Sequence, residues 1–404
     1  MRVLFVSGSF GLGHVTRDLA IARALRVLSP GIEILWLAGE PARSALQQAG
    51  EVLQASAERY QSDTDPAEGA ATTGGLNVLR YLLRARTNWA KNARLVDEVL
   101  RAEPFEVLVG DETYEVSVAL IRKEIALPVP YLQILDFVGL DAMTGSLFER
   151  LGTGLWNRMW VRDRRLFGNG KNHALFVGEP DDIPDRSMGI GLPTRRQHAL
   201  RTYRFVGYVL PFDPAEVADR ERLRAELGYG DGPLVIATIG GTAVGRDLLE
   251  ACARAFPLVR ARLPTAELVL ICGPRIAPES IALAAGVRVL GYVPCLHRHL
   301  AACDLAIVQA GGTTTLELTA LRRPFVYVPV EGQCEQQVAV CGRLARHRAG
   351  IRLSRPEMTP ERLAELMLAN VGAEATWPPI AADGAVVAAR LILEAVGSAR
   401  QAAA

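Results

Sequence analysis

The chain has 404 residues, half of them hydrophobic, with 45 basic and 44 acidic side chains and a formal charge of +1. That length exceeds a usual single domain and predicts two. The composition excludes a disordered or fibrous chain, and the charge balance gives no overall electrostatic case for nucleic-acid binding.

At the N-terminus, Met1-Arg2-Val3-Leu4-Phe5-Val6 stops being apolar after four residues, at Ser7-Gly8, too short for a secretory leader. It reads as a buried first strand, and no run of 18 or more uncharged apolar residues follows anywhere. Short apolar runs bounded by Gly or Pro then alternate with amphipathic stretches, the pattern of βαβ units on parallel sheets. In the first half, strands are predicted at Val3–Val6, Ile32–Leu37, Val107–Val109 and Val129–Ile134, and helices at Val15–Leu28, Leu76–Leu100 and Val116–Ile125. The rhythm weakens between Arg195 and Arg224, which places the domain boundary near residues 205–215. It restarts with strands at Leu234–Ile239, Glu267–Ile271, Val287–Val289, Leu305–Val308 and Phe325–Val328, and helical segments open at Asp247, Thr315, Glu335 and Pro360. After Trp377-Pro378-Pro379 a single closing helix runs into an Ala-rich tail. The six cysteines, Cys252, Cys272, Cys295, Cys303, Cys334 and Cys341, lie in the second half without a compact disulfide framework, which fits a reducing cytoplasm.

The loop after the first strand, Ser7-Gly8-Ser9-Phe10-Gly11-Leu12-Gly13-His14, feeds a helix whose unpaired N–H groups suit an anion. His14 at that mouth titrates near neutrality and is a candidate general base, or else a helix cap. A dinucleotide-binding loop is the competing reading, since Glu40 ends the second strand, but Gly11-x-Gly13-x-x-Thr16 lacks the third glycine. Carboxylates at strand C-termini point toward ligand, so Asp111 is the candidate to orient His14. Glu112, Glu115 and Asp136 compete with it.

In the second half, strand Leu305–Val308 continues through Gln309 into Gly311-Gly312-Thr313-Thr314-Thr315-Leu-Glu317. Small residues, hydroxyls and a helix N-terminus make a diphosphate cradle, and Glu317, one turn in, suits a ribose diol; a threonine-capped turn is the bland alternative. The cluster Glu331-Gly332-Gln333-Cys334-Glu335-Gln336-Gln337, after strand Pro324–Pro329, would grip sugar hydroxyls, Tyr292-Val293-Pro294 would receive a base, and Gly241-Thr242 would add phosphate contacts.

Taken in order, Tyr292-Val293-Pro294, then Gly311-Gly312-Thr313-Thr314 with Glu317, then Pro329 with Glu335-Gln336 resemble the nucleotide-sugar domain of GT-B glycosyltransferases. The chain is similar to the UDP-glycosyltransferase superfamily and to the family that adds N-acetylglucosamine to lipid-linked peptidoglycan precursors. The resemblance implies an α/β GT-B fold, with two doubly wound Rossmann-like domains facing an interdomain cleft. Residues 1–208 would bind acceptor, 209–376 would bind the nucleotide-sugar, and 377–404 would form a helix packing back on the first domain. It further implies that Tyr292 holds the base, that Cys295 replaces a glutamine, that Glu335 and Gln336 read the sugar, and that His14 activates the acceptor. Gln309 stands where the superfamily has a histidine, so phosphate binding there is weaker or shared.

Cys295-x-His297-x-His299-x-x-x-Cys303 has tempting zinc spacing, but it overlaps the base-binding loop, and no metal is expected. Leu147-Phe148, Leu151, Leu155-Trp156, Met159-Trp160 and Leu166-Phe167 recur at helical spacing among Arg150, Arg158, Arg162, Arg164 and Arg165. Packing against the core is the first expectation for this segment, and an interfacial helix at a membrane is the second.

The expected activity is inverting, metal-independent transfer of a sugar from a nucleotide-sugar donor, UDP before dTDP, to a hydroxyl of a small-molecule or lipid-linked acceptor. No cofactor beyond the donor and no nucleic-acid partner are expected. A nucleotide-sugar hydrolase and a non-catalytic nucleotide-sugar sensor are the rival readings. The protein is expected to be cytoplasmic, with peripheral membrane contact through residues 146–167 as the lipid-linked variant of that reading.

Overall fold

Runs such as Val3-Leu4-Phe5-Val6 and Leu305-Ala306-Ile307-Val308 are apolar on both faces, and a strand of that kind is stable only when helices cover both sides of its sheet. The computed structural model places them so. It describes the chain apart from residues 9–11, 63–70, 73, 74, 77, 144, 145, 242, 243, 282–284 and 404, and the backbone alone over the rest of 71–84 and at 402–403.

Two compact units result, one comprising residues 1–70, 77–211 and 381–404, the other residues 71–76 and 212–380. Strands β1 (Arg2–Ser7), β2 (Glu33–Ala38), β5 (Val107–Asp111), β6 (Tyr131–Leu135), β7 (His173–Val177) and β8 (Tyr203–Gly207) form the first unit's sheet, in the order β2-β1-β5-β6-β7-β8. In chain order the short antiparallel ladder of β3 (Ala71–Thr72) and β4 (Gly75–Leu76), a separate sheet, comes after β2 and before β5. The second unit's sheet has the order β11-β10-β9-β12-β13-β14, from β9 (Leu234–Thr238), β10 (Glu267–Ile271), β11 (Val287–Leu290), β12 (Leu305–Gln309), β13 (Phe325–Val328) and β14 (Ile351–Arg352). Every pairing in the two six-stranded sheets is parallel. The second order is that of a doubly wound fold, whose ligands lie beyond the strand C-termini.

In the first unit the α-helices are α1 (Gly13–Leu28), α2 (Ala42–Gln48), α3 (Val78–Ala102), α4 (Tyr114–Ile121), α5 (Leu147–Trp160), α6 (Arg164–Phe167) and α7 (Arg195–Thr202). The second unit has α8 (Arg220–Leu227), α9 (Arg246–Arg260), α10 (Leu296–Ala302), α11 (Gly312–Leu321), α12 (Cys341–His347) and α13 (Pro360–Asn370). The chain then returns to the first unit as α14 (Gly384–Ala403).

Alternation along β1 shows how the cores are divided. Leu4 and Val6 join one apolar cluster with Leu108 and Tyr131, while Val3 and Phe5 join another with Val107, Ile21, Leu25, Ala388 and Ile392. Helices α1 and α14 therefore cover one face of the sheet together. In the second unit Val235, Leu268 and Leu305 pack on the α9 and α13 side, and Leu234, Ile236 and Val308 on the α10 and α11 side.

Five strands lie where none was expected, β3, β4, β7, β8 and β14, and α7 and α8 occupy the stretch where the αβ rhythm faded. Helix α1 begins two residues before Val15 and α11 three before Thr315, so Gly13 and Gly312 are already helical. Core packing of Leu147, Phe148, Leu151 and Leu155 is corrected: they are 68%, 80%, 64% and 66% exposed, while Asn157 and Trp160 of α5 are buried. Among the described residues no helix is long and apolar enough to cross a membrane.

Candidate active site

In the first unit the ends of β1, β5 and β6 bring residues remote in sequence to one edge. His14 stands in the first turn of α1, and a side chain at Gly8 would meet its ring at 3.1 Å and the Asp111 carbonyl at 3.2 Å. Gly8 thus admits the imidazole itself. Gly13 is the first residue of the helix, and Gly11 lies outside the described residues.

His14 Nδ1 is 3.2 Å from Asp111 Oδ2 and its Nε2 is 3.8 Å from Glu112 Oε2. One helical turn on, Arg17 donates from Nε and Nη2 to the two oxygens of Asp111, at 3.1 and 2.6 Å, and from Nη1 to Asp136 at 2.8 Å. Its Nη2 also lies 2.8 Å from His14 Nδ1. Arg17 is the member of this site that sequence reasoning missed; its only signal is that position 17 shares a helix face with position 14.

Burial alone would raise the Asp111 carboxyl, but the Arg17 and His14 charges outweigh it and hold Asp111 well below the usual carboxylate range. Asp136 is also lowered against its burial, chiefly by Arg17. Burial would lower the His14 imidazole, yet the neighbouring Asp111 charge and hydrogen bond raise it above its ordinary value. Two more acids are pushed the other way. Glu112 is raised well above the usual range by burial and by the Asp136 and Asp111 charges, and Asp18 by burial and by Asp111. One guanidinium therefore favours the ionised form of two carboxylates while burial and like charge disfavour it at two neighbours, the separation of environments expected of an acid–base site. Glu115 is turned away, bonded to Tyr60 Oη at 2.5 Å, and Glu40 bonds Arg43 and Ser44 at the start of α2.

In the second unit, β12 runs through Gln309 to Gly311, the N-cap of α11, which no side chain caps. The Gly312, Thr313 and Thr314 N–H groups belong to the helix's first turn, where none has an intrahelical acceptor. Thr315, the residue expected to open the helix, is buried and donates to the Gly311 carbonyl at 2.7 Å. Glu317 is only 5% exposed and its pKa is pushed up to about 8 by burial alone.

Gln309 and Gln336 are buried and largely engaged with the fold. The Gln309 amide nitrogen donates to the Val244 and Ile239 carbonyls at 2.8 and 3.2 Å, and its oxygen accepts from Gln336 Nε2 at 3.1 Å. Gln336 Oε1 accepts from the Val330 N–H at 2.9 Å. Glu335 accepts from Gln333 at 3.1 Å and opens a π-helical turn, Glu335–Val340, a departure from α geometry often seen at functional sites. Tyr292, beyond β11, is 39% exposed, with Val293 partly packed on the core. Gly241 follows β9, and Thr242 lies outside the described residues. The zinc alternative does not assemble: His297 stacks on Phe212 at 4.2 Å, His299 bonds Tyr229, and Cys303 is buried. No cluster of metal-binding side chains occurs among the described residues.

Residues 235–376 match the glycosyltransferase family 28 C-terminal domain. The chain is 28% identical, over 98% of both chains, to the UDP-N-acetylglucosamine--N-acetylmuramyl-(pentapeptide) pyrophosphoryl-undecaprenol N-acetylglucosamine transferase of Clavibacter sepedonicus. Among solved structures it resembles the calicheamicin glycosyltransferase CalG4, with a TM-score of 0.56 and 18% identity over 99% of this chain and 96% of the other. It also resembles the spinosyn rhamnosyltransferase SpnG, with a TM-score of 0.54 and 19% identity over 98% and 96%. Two parallel doubly wound sheets give the chain the GT-B fold, and its matches indicate a glycosyltransferase that uses a nucleotide-sugar donor.

Proposed function

We propose that the protein catalyses inverting, metal-independent transfer of the sugar to an acceptor hydroxyl, with His14 as the general base. The observation that carries this is the His14 ring, placed with Nδ1 on an ionised, buried Asp111. With the proton on Nδ1, Nε2 is free to accept the acceptor's proton, and Asp111 stabilises the imidazolium that forms. The acceptor oxygen attacks the anomeric carbon and the bond to the diphosphate oxygen breaks. Negative charge then builds on the diphosphate, which we place on the first turn of α11 at Gly311, Gly312, Thr313 and Thr314, with Gly241 and Thr242 contributing further contacts. Preset N–H donors stabilise that charge without reorganising. Glu317 would accept from the ribose diol, Tyr292 and Val293 would hold the base, and Glu335 would meet the sugar.

A UDP donor and a lipid-linked acceptor are favoured, because the Clavibacter relative's name specifies both. The exposed apolar face of α5 supports such an acceptor, since it could lie against a membrane surface. Replacing His14 with Ala should reduce turnover by ~10²–10⁴-fold, measured with the donor found by thermal-shift screening of UDP- and dTDP-sugars. Near-normal turnover would retire His14 as base. Product analysis by NMR gives the anomeric configuration, and release of free sugar regardless of acceptor would favour hydrolysis.

A further inference from the structure

The described residues include three buried arginines, Arg17, Arg195 and Arg343. Arg17 is matched by Asp111 and Asp136, and Arg195 by Asp141 at 2.6 Å. Arg343 is 8% exposed and has no carboxylate partner among the described residues. It stands in the first turn of α12, just after the π-helical turn, and reaches across to α11. There its Nη2 donates to the Gly312 carbonyl at 2.6 Å and lies 3.4 Å from Thr315 Oγ1. A buried guanidinium without a counter-ion is costly, and this one is tied to the turn whose N–H groups have no helical acceptor. On the same helix Glu317 is 5% exposed and no hydrogen bond or charge among the described residues stabilises it, a second polar group left unmatched beside that turn.

We propose that Arg343 is a donor-binding residue, whose missing counter-ion is the diphosphate of the nucleotide-sugar. The inference rests on the donor site proposed above and adds to it the source of positive charge. Gln309 is neutral, and its amide nitrogen is already bonded to two carbonyls. A guanidinium fixed on Gly312 supplies the missing charge from the neighbouring helix. Its Nε and Nη1 have no partner among the described residues, and a guanidinium's remaining donors suit phosphate oxygens. During transfer the same charge would favour departure of the diphosphate.

The test compares a nucleoside diphosphate with its bare nucleoside, UDP with uridine and dTDP with thymidine, by calorimetry on the 404-residue chain. Arg343→Gln should weaken whichever diphosphate binds by about 10- to 100-fold, leave the nucleoside unchanged and flatten the salt dependence of diphosphate binding. Arg343→Lys should recover part of the loss. Should Arg343→Gln fail to fold, Arg343→Met, which keeps the apolar stem, makes the same comparison. Equal weakening of diphosphate and nucleoside would mean that Arg343 only braces the two helices, and an unchanged diphosphate affinity would also overturn the inference. Wild-type protein that binds neither diphosphate would overturn the donor site itself, and Arg343's role with it.

Discussion

His14 Nδ1 faces two partners with opposite demands. A guanidinium can only donate, so Nδ1 either donates to Asp111 or accepts from Arg17, and only the first arrangement leaves Nε2 free to take a proton. Asp111→Asn should therefore lower turnover by on the order of 10²–10⁴-fold by removing the group that selects the productive tautomer. It should also move the acid limb of the pH–rate profile to lower pH, because Asp111 is what raises the imidazole. An acid limb that stays put would show that Asp111 acts by packing alone. Arg17→Met has a different signature. Asp111 and Asp136 are held low in the folded chain, so their contribution is present above the unfolded carboxylate range and lost as pH falls through their folded values. Without Arg17 that contribution vanishes, for a loss of about 3–5 kcal/mol at neutral pH and little at acid pH, read from urea unfolding. Its place one helical turn after His14 is all that marks Arg17 in the sequence, where an arginine on an amphipathic helix otherwise reads as a solvated side chain. Only the fold brings positions 94 and 119 residues away onto it.

At the level of elements, what was readable depended on how apolar each segment is. The strands β1, β9, β10 and β12 stand out as apolar runs ending in glycine or a polar residue, and the turn into α11 as a cluster of glycines and threonines. By contrast β7 opens on His173, β8 alternates Tyr203 and Phe205 with Arg204, and α7 reads Arg-Arg-Gln-His, so none announces itself. Helix α11 carries a prediction of its own. Glu317 stays neutral in the folded chain up to about pH 8, whereas the unfolded chain ionises near 4.5. Stability should then fall as pH rises between those values, by on the order of a few kcal/mol, and level off above them. Glu317→Gln should flatten that slope in chemical unfolding, and an unchanged slope would mean the carboxyl is already ionised in the fold. For α5, Phe148 and Leu151 are exposed, so changing both to Ser should leave folding intact. If α5 is an interfacial helix flanked by Arg150, Arg158, Arg162, Arg164 and Arg165, the change should weaken sedimentation with phosphatidylglycerol vesicles by about 10- to 100-fold. Equal sedimentation of variant and wild type would leave this face without a membrane role.

Across the whole molecule, the order of the chain and the composition of the units do not coincide. The polypeptide completes five strands of a sheet after leaving β1, builds the second unit, and only then supplies α14 to the first. Ala388, Ala389, Ile392 and Val396 on that helix are buried among Ile21, Ala22 and Leu25 of α1, the helix that carries His14 and Arg17. Burying four such side chains contributes several kcal/mol at about 25 cal/mol per Å², comparable to the net stability of a domain. Ending the chain after Ile380 should therefore destabilise the first unit selectively, since the second unit's clusters contain no residue beyond Trp377. Thermal unfolding should split, with one transition lowered by roughly 10 °C or more. Proteolysis at the lower temperature should cut within residues 1–211 while a nucleoside diphosphate still protects the remainder. A single transition, shifted as one, would instead mean that the two units unfold as one cooperative body and that α14 stabilises both.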